Sequence, residues 1–244
     1  MSEPSRFPNE RNAMRGERKM RLIAAAALAA LVAAGAADAA TLVVRSAGPS
    51  AKNLAPGRTL PDGAPVTLQA GDIVTVLIST GTRILRGPGS FTLGGAGGRG
   101  VPAAAFNPRA RFGAMRSGEV ESPTLWDVDV SQTGTFCLAD PRTVMLWRPE
   151  SDDAATLSLK RGAVAKSIAW PAGKATAAWP SGVTLTDGVD YDLAFAGSSD
   201  VSHLRLKTLA AVPQDLPGLA KAFLDNGCQS QLDLLVDTTP EAKP

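Results

Sequence analysis

Three pairs of aspartates and one histidine are the side chains best suited to acid–base chemistry. Two carboxylates that face one sugar are what a glycosidase needs, and strand alternation would place Asp127 and Asp129 on one face. Solvated outward faces of strands produce the same pairs. His203 is accompanied by no G-x-S-x-G motif, so a Ser-His-Asp site lacks its usual nucleophile signature. The pairs are Asp127/Asp129, Asp152/Asp153 and Asp190/Asp192.

Metal and dinucleotide sites are poorly supported. A single histidine and two cysteines that can pair leave only carboxylates for zinc. Aspartates 187, 190 and 192 around Gly188 could hold calcium, although the EF-hand spacing and its closing glutamate are lacking. Residues 95–100 fit G-x-G-x-x-G, but the strand–helix alternation of a dinucleotide-binding fold is missing, so we interpret them as a glycine-rich loop. The sequence predicts no cofactor and no bound metal.

The cysteines Cys137 and Cys228 are the only two in the chain. In an oxidising compartment an even pair predicts a disulfide, and the alternative is two unpaired buried thiols. A C-x-x-C motif is absent, so thiol redox catalysis is not expected. Closing a loop of about ninety residues would contribute about 4–5 kcal/mol on the chain-entropy estimate.

Four aromatic residues form the candidate binding surface. Trp170 and Trp179 each precede a proline at the end of a predicted strand, where their rings could receive a peptide or a sugar. The alternative is that these rings cap the hydrophobic core. The complete set is Trp147, Trp170, Trp179 and Tyr191.

Most of the candidate residues above lie in or beside predicted strands, which are short runs rich in β-branched residues separated by Gly, Pro and Asp. Strands that recur every 8–12 residues with such breaks predict antiparallel sandwich-like lobes. Near the end, apolar residues at helical spacing predict two short helices with Cys228 between them, and Asn226-Gly227 is a helix stop. The predicted strands are 41–45, 66–68, 73–78, 83–85, 91–93, 126–130, 135–138, 143–147, 155–159, 163–170, 174–179, 183–185, 191–195 and 201–209.

The predicted fold is therefore mostly β, in two lobes, with a short linking helix and a short α-helical C-terminal segment. The predicted organisation is a signal peptide (1–39), a first β lobe (40–100), a helical or loop linker (101–124), a second β lobe (125–212) and the helical C-terminal segment (213–244).

Residues 63–93 carry a family resemblance. Leu68, Gly71 and Asp72 form Leu-x-x-Gly-Asp, followed by an apolar strand, a turn at Gly81, a second strand and a turn at Gly87. This stretch resembles the FecR-type periplasmic domain, and the resemblance implies an all-β periplasmic module for signalling or binding. About twenty residues precede the first apolar run, which departs from the sigma-factor-binding segment and spanning helix of that family. The whole chain is also similar to small exported proteins of alphaproteobacteria.

The first 39 residues have the features of a secretory signal peptide. Basic residues between 15 and 21 precede an alanine-rich apolar run at 22–35, and Ala37-Asp38-Ala39 gives a small-x-small cleavage site. The apolar run is shorter than the roughly 20 residues of a spanning helix. We therefore expect a cleaved signal and a periplasmic protein that is not an integral membrane protein; the alternatives are an uncleaved anchor and a start at Met14 or Met20.

Charge excludes one class of partner. The full chain has 25 basic and 23 acidic residues, six and four of which lie in residues 1–39, so residues 40–244 hold 19 of each. The basic excess belongs to the predicted signal peptide, and a nucleic-acid-binding surface is not expected.

Three functions remain open from the sequence. The favoured one is a non-catalytic periplasmic interaction module, an adaptor or sensory or regulatory partner of an envelope or membrane-sensor protein. The first alternative is a module that binds envelope polysaccharide or peptidoglycan, motivated by the aromatic residues. The second alternative is a hydrolase that uses the acidic pairs.

Overall fold

Six short strands build the first lobe. The computed structural model describes residues 41–93 and 124–242. A four-stranded antiparallel sheet has the order β2-β1-β4-β5, and β3 pairs with β6 in a separate two-stranded sheet. The strands are β1 (Thr41–Ala47), β2 (Thr59–Leu60), β3 (Pro65–Leu68), β4 (Ile73–Ile78), β5 (Gly81–Arg86) and β6 (Gly89–Thr92).

The core of this lobe lies between its two sheets. Val74 and Val76 of β4 pack with Val66 and Leu68 of β3, because alternate residues of each strand point to one face. Leu77 points to the opposite face of β4 and belongs to a different buried cluster. β4 is therefore buried on both sides, which explains its nearly continuous apolar sequence IVTVLI.

Eight strands build the second lobe. A five-stranded sheet has the order β11-β10-β13-β14-β8, and a three-stranded sheet has the order β12-β9-β7. Residues from both sheets, such as Leu159, Tyr191, Val128 and Leu146, share one buried cluster. The strands are β7 (Asp127–Asp129), β8 (Gly134–Leu138), β9 (Met145–Trp147), β10 (Ala155–Arg161), β11 (Val164–Trp170), β12 (Thr176–Ala178), β13 (Asp190–Phe195) and β14 (Ser202–Thr208).

Two strand pairs differ from the antiparallel prediction. β8 pairs in parallel with β14, and β7 pairs in parallel with β9. A parallel pair needs a long connection. Along the chain, the connection from β8 to β14 contains β9 to β13. The connection from β7 to β9 contains β8, which belongs to the other sheet. Both sheets of the second lobe are consequently mixed.

Two helices lie near the C-terminal end: α1 (Leu216–Asn226) and α2 (Gln229–Thr238). The Asp215 carboxylate accepts the Gly218 N–H at 2.7 Å and so caps α1, which ends at Gly227 in the left-handed conformation with φ 73°. Both helices bury apolar faces against Leu42 and Leu77 of the first lobe and Trp126 of the second. The helical segment therefore completes a core that both lobes share.

The fold-class prediction is confirmed: the described chain is mostly β, antiparallel pairing predominates, and two helices lie near the C-terminal end. One strand prediction is wrong, because residues 183–185 form a loop held by side-chain hydrogen bonds to the carbonyls of Val183 and Thr184. The predicted signal peptide, glycine-rich loop and linking helix lie outside the described residues, apart from Thr124.

Candidate functional site

Most of the predicted aromatic surface is buried. Trp147, Trp170 and Tyr191 are 7%, 1% and 0% exposed, and Trp179 is half-buried with its ring edge-on to Tyr191 at 5.2 Å between centroids. Tyr191 alternates with Asp190 and Asp192 along β13. Its side chain therefore points between the two sheets of the second lobe, into the same buried cluster as Leu193. The burial of Trp147, Trp170 and Tyr191 fits the alternative interpretation, in which these rings cap the hydrophobic core, and Trp179 is the one of the four that is partly exposed.

A buried arginine lies against one of these rings. The Arg148 guanidinium is 5.2 Å from the centroid of Trp170 and donates to the carbonyls of Lys174, Ser151, Asp153 and Pro171 at 2.8–3.3 Å. The residue is only 4% exposed. Its hydrogen bonds join the loop before β10 to the loop after β11. Sequence reasoning missed this role, because no local pattern distinguishes it from an exposed arginine.

The two cysteines form a disulfide that joins β8 to the start of α2. Cys137 and Cys228 are bonded, with Cα atoms 5.7 Å apart, and both are fully buried. Gln231, one turn further along α2, reinforces the junction. Its amide accepts the Cys137 N–H at 2.6 Å and donates to the carbonyls of Cys137 and Leu125 at 2.9 Å each. A buried glutamine side chain thus completes the hydrogen bonding of the outer strand β8.

The two carboxylates of the acidic pair on β13 each contact a side chain of the neighbouring strand β14. Asp190 accepts two hydrogen bonds from Arg205, at 2.7 and 2.8 Å, and Asp192 contacts Nδ1 of His203 at 2.8 Å. The Arg205 guanidinium holds the pKa of Asp190 below its usual range. Both pairs lie on the outward face of the five-stranded sheet with their side chains more than half exposed. They are typical of cross-strand pairs that stabilise a solvated face.

Two other aspartates considered from the sequence, Asp129 and Asp187, also have structural partners, whereas Asp152 and Asp153 are exposed. Asp129 accepts the N–H and hydroxyl of Ser131, and Asp187 accepts the N–H of Thr208. Within residues 41–93 and 124–242, no group of three or more His, Cys, Asp or Glu side chains is arranged to hold a metal ion. In the same ranges no helix has the length and apolar character needed to cross a bilayer.

Asp72, in the turn before β4, organises the first lobe. This carboxylate is buried and accepts the backbone N–H groups of Ser50 at 2.8 Å and Gln69 at 2.6 Å. Hydrogen bonds from the Ser50 side chain and backbone lower the pKa of Asp72. They join the short 3-10 helix Pro49–Lys52 to the turn before β4. Asp72 thus has a structural role here.

The outer edge of β5 already receives an extended segment of the same chain. The Thr82 N–H donates to the Pro240 carbonyl at 3.0 Å, and the Ala242 N–H donates to the Thr82 carbonyl at 2.8 Å. These bonds place Glu241 beside Thr82 as a parallel bridge. A Cβ at Gly81 would overlap the Pro240 carbonyl oxygen, so only glycine admits this approach. We call residues 240–242 the edge segment.

Next to the edge segment, one face of the sheet carries exposed apolar side chains from β5, β4 and β1. Ile84 and Ile73 are 47% and 42% exposed, and Ala47 beside Ile73 on β1 is exposed as well. Ile84 and Ile73 lie diagonally on one face, because Ile84 is opposite Thr75 and Ile73 is opposite Arg86. We call Ala47, Ile73 and Ile84 the isoleucine patch. Sequence reasoning missed this feature, since these residues fit the same alternating pattern as core residues.

Comparison with known proteins adds no relative. No protein-family model matches the chain, and neither a curated protein nor a solved structure matches it.

Proposed function

We propose that this protein is a non-catalytic periplasmic interaction module, an adaptor or regulatory partner of an envelope protein, which receives an extended segment of that protein along β5. The observation that carries the proposal is the β5 edge, where residues 240–242 add to the sheet and an exposed apolar patch continues beyond them. Strand addition to a sheet edge is a common way for proteins to bind extended peptides.

The chemistry of the edge supports binding. Backbone hydrogen bonds provide attraction that does not depend on sequence, while side chains beside the edge provide specificity. An exposed apolar strand edge is otherwise a liability, because it can pair with unintended chains. Two large exposed isoleucines together, in a chain whose other apolar strand positions are mostly buried, suggest that another surface covers them.

The disulfide supports the proposed compartment. Cys137 and Cys228 are bonded, and structural disulfides persist mainly in oxidising compartments such as the periplasm. The signal-peptide pattern in residues 1–39 points the same way.

Site-specific photo-cross-linking in living cells tests the proposal. A photoreactive amino acid at Ile84 should give an adduct with one envelope protein, identified by mass spectrometry. Val164 is the matched control, since it is 41% exposed and lies on β11, the outermost strand of the other large sheet. The adduct should disappear in the Gly81→Ala variant, because the added methyl group would occupy the position of the partner's backbone carbonyl, as it would that of Pro240. Equal adducts from both positions, or none from Ile84, would rule the proposal out.

A further inference from the structure

We infer that the segment received by β5 runs parallel to the strand, replaces the edge segment, and carries an apolar residue followed two positions later by a carboxylate. This inference rests on the proposed function and specifies the partner's chemistry at the same edge. The existing contact between Thr82 and residues 240–242 fixes both the direction and the register.

The register follows from the hydrogen bonds of Thr82. Both its N–H and its C=O point away from β4, towards residues 240 and 242. Backbone groups of alternate residues in a strand point to the same edge, so those of Ile84 and Arg86 also point outward. A parallel segment that pairs one residue with Thr82 therefore places its second following residue beside Ile84 and its fourth beside Arg86.

The side chains beside those positions define the recognised chemistry. Paired residues in neighbouring strands have their side chains on the same face. The residue beside Ile84 would contact the isoleucine patch, which favours an apolar side chain. The residue beside Arg86 would lie next to an exposed guanidinium, which favours Asp or Glu. Arg83 points to the other face, where it donates to the Thr92 carbonyl at 3.2 Å, and does not take part.

The edge segment acts as a competitor that a partner must displace. Its contact with β5 consists of two backbone hydrogen bonds to Thr82. It is held near the edge by α2, so its effective concentration is on the order of millimolar. A longer segment keeps the bonds to Thr82 and adds contacts at Ile84 and Arg86. If the edge segment occupies β5 in about nine molecules of ten, removal of residues 240–244 should strengthen peptide binding by about tenfold, because the fraction of molecules with a free edge rises from about 0.1 to 1.

Fluorescence anisotropy with a labelled peptide tests the register. The probe is acetyl-Pro-Glu-Ala-Ile-Thr-Asp-amide, in which Glu pairs with Thr82, Ile reaches Ile84 and Asp reaches Arg86. A second probe has Lys in place of Asp. The first probe should bind the full chain, bind more tightly after removal of residues 240–244, and fail to bind Gly81→Ala.

A charge exchange separates recognition from a structural effect. Arg86→Glu should weaken binding of the Asp probe about threefold to fivefold and strengthen binding of the Lys probe by a similar factor, as expected for an exposed ion pair. Arg142→Glu, the same charge change at an exposed arginine of the second lobe, is the control and should leave both affinities within about twofold.

The outcomes distinguish the two proposals. Absence of binding at about 1 mM peptide after removal of residues 240–244 would overturn the inference. Equal binding of both probes to the full chain and to Arg86→Glu would overturn it as well. If the Ile84 cross-link nevertheless appears in cells, the proposed function stands and only the partner chemistry stated here is wrong.

Discussion

Replacement of Gln231 by leucine should destabilise the protein by about 3 kcal/mol. Gln231 is 1% exposed, and its amide makes three hydrogen bonds, with the N–H and carbonyl of Cys137 and with the carbonyl of Leu125. Each buried group that loses its partner costs about 1–3 kcal/mol. Leucine has nearly the same volume and returns about 2 kcal/mol through its apolar burial. Three groups together cost about 3–9 kcal/mol, so the net loss lies between about 1 and 7 kcal/mol, and a net loss of about 3 kcal/mol corresponds to about 1.7 kcal/mol per group.

Urea unfolding at pH 7, followed by circular dichroism, measures this loss. With a denaturant slope of about 2–3 kcal/mol/M, the midpoint of Gln231→Leu should fall by about 1 M at unchanged slope. Gln229→Leu is the control on the same helix, because Gln229 is exposed and contacts Asp233. Its cost should stay below about 0.5 kcal/mol. Equal costs at both positions, or a Gln231→Leu midpoint that matches the parent protein, would refute the reasoning.

Gln231→Glu provides a pH-dependent version of the same experiment. A glutamic acid can donate to a carbonyl as the amide does, whereas a glutamate placed beside two carbonyls is repelled. Burial and these carbonyls would raise the folded-state pKa of the introduced carboxyl above its unfolded value of about 4.3. The variant should therefore be nearest to the parent protein below that pH and lose relative stability as the pH rises through the folded pKa. If the free energies of unfolding of Gln231→Glu and the parent protein differed by the same amount at every pH, the hydrogen bonds assigned to the Gln231 amide would be contradicted.

Three further predictions concern other buried contacts. Cys137→Ala combined with Cys228→Ala should lower the free energy of unfolding by about 4–5 kcal/mol on the chain-entropy estimate, since the bond spans 91 positions; urea unfolding measures this, and a loss below about 1 kcal/mol would contradict it. Arg148→Met should cost about 2–4 kcal/mol because four carbonyls lose their donor, and a thermal unfolding midpoint equal to that of the parent would argue against it. Asp72→Asn should reduce the decrease in the free energy of unfolding that accompanies a fall in pH below about 4. The lowered pKa of Asp72 stabilises the fold above the ordinary aspartate pKa of about 3.9, and that stabilisation is lost as the pH falls through the folded value; an identical decrease in parent and variant would exclude this role.

Local patterns predicted the elements that depend on neighbouring residues. Both C-terminal helices follow from apolar spacing and the stop at Gly227, and β13 follows from the alternation of Tyr191 and Leu193 with aspartates. The cysteine pair could be predicted because a chain with two cysteines offers a single intramolecular pairing.

Features that depend on distant residues could not be predicted in this way. The parallel pairing of β8 with β14 leaves the same alternating pattern as an antiparallel pair. Gln231 bonds to a strand 94 positions earlier, and its sequence neighbours carry no sign of that contact. The sequence left both an exposed platform and a buried cap open for the aromatic residues, because a tryptophan at a strand end fits either equally well. Only the packing of the second sheet buries Trp147, Trp170 and Tyr191.

The core shared by the two helices and both lobes also constrains how the chain reaches its native state. β1 is joined to α2 by the ion pairs of Arg45 with Asp233 and Asp237, 188 and 192 positions apart. Contacts of such separation form slowly, because a long loop must close before they become favourable. During synthesis the apolar face of β1 emerges well before the helices that cover it. A nascent chain should therefore remain incompletely folded, with that face open to chaperones, until α2 has been made.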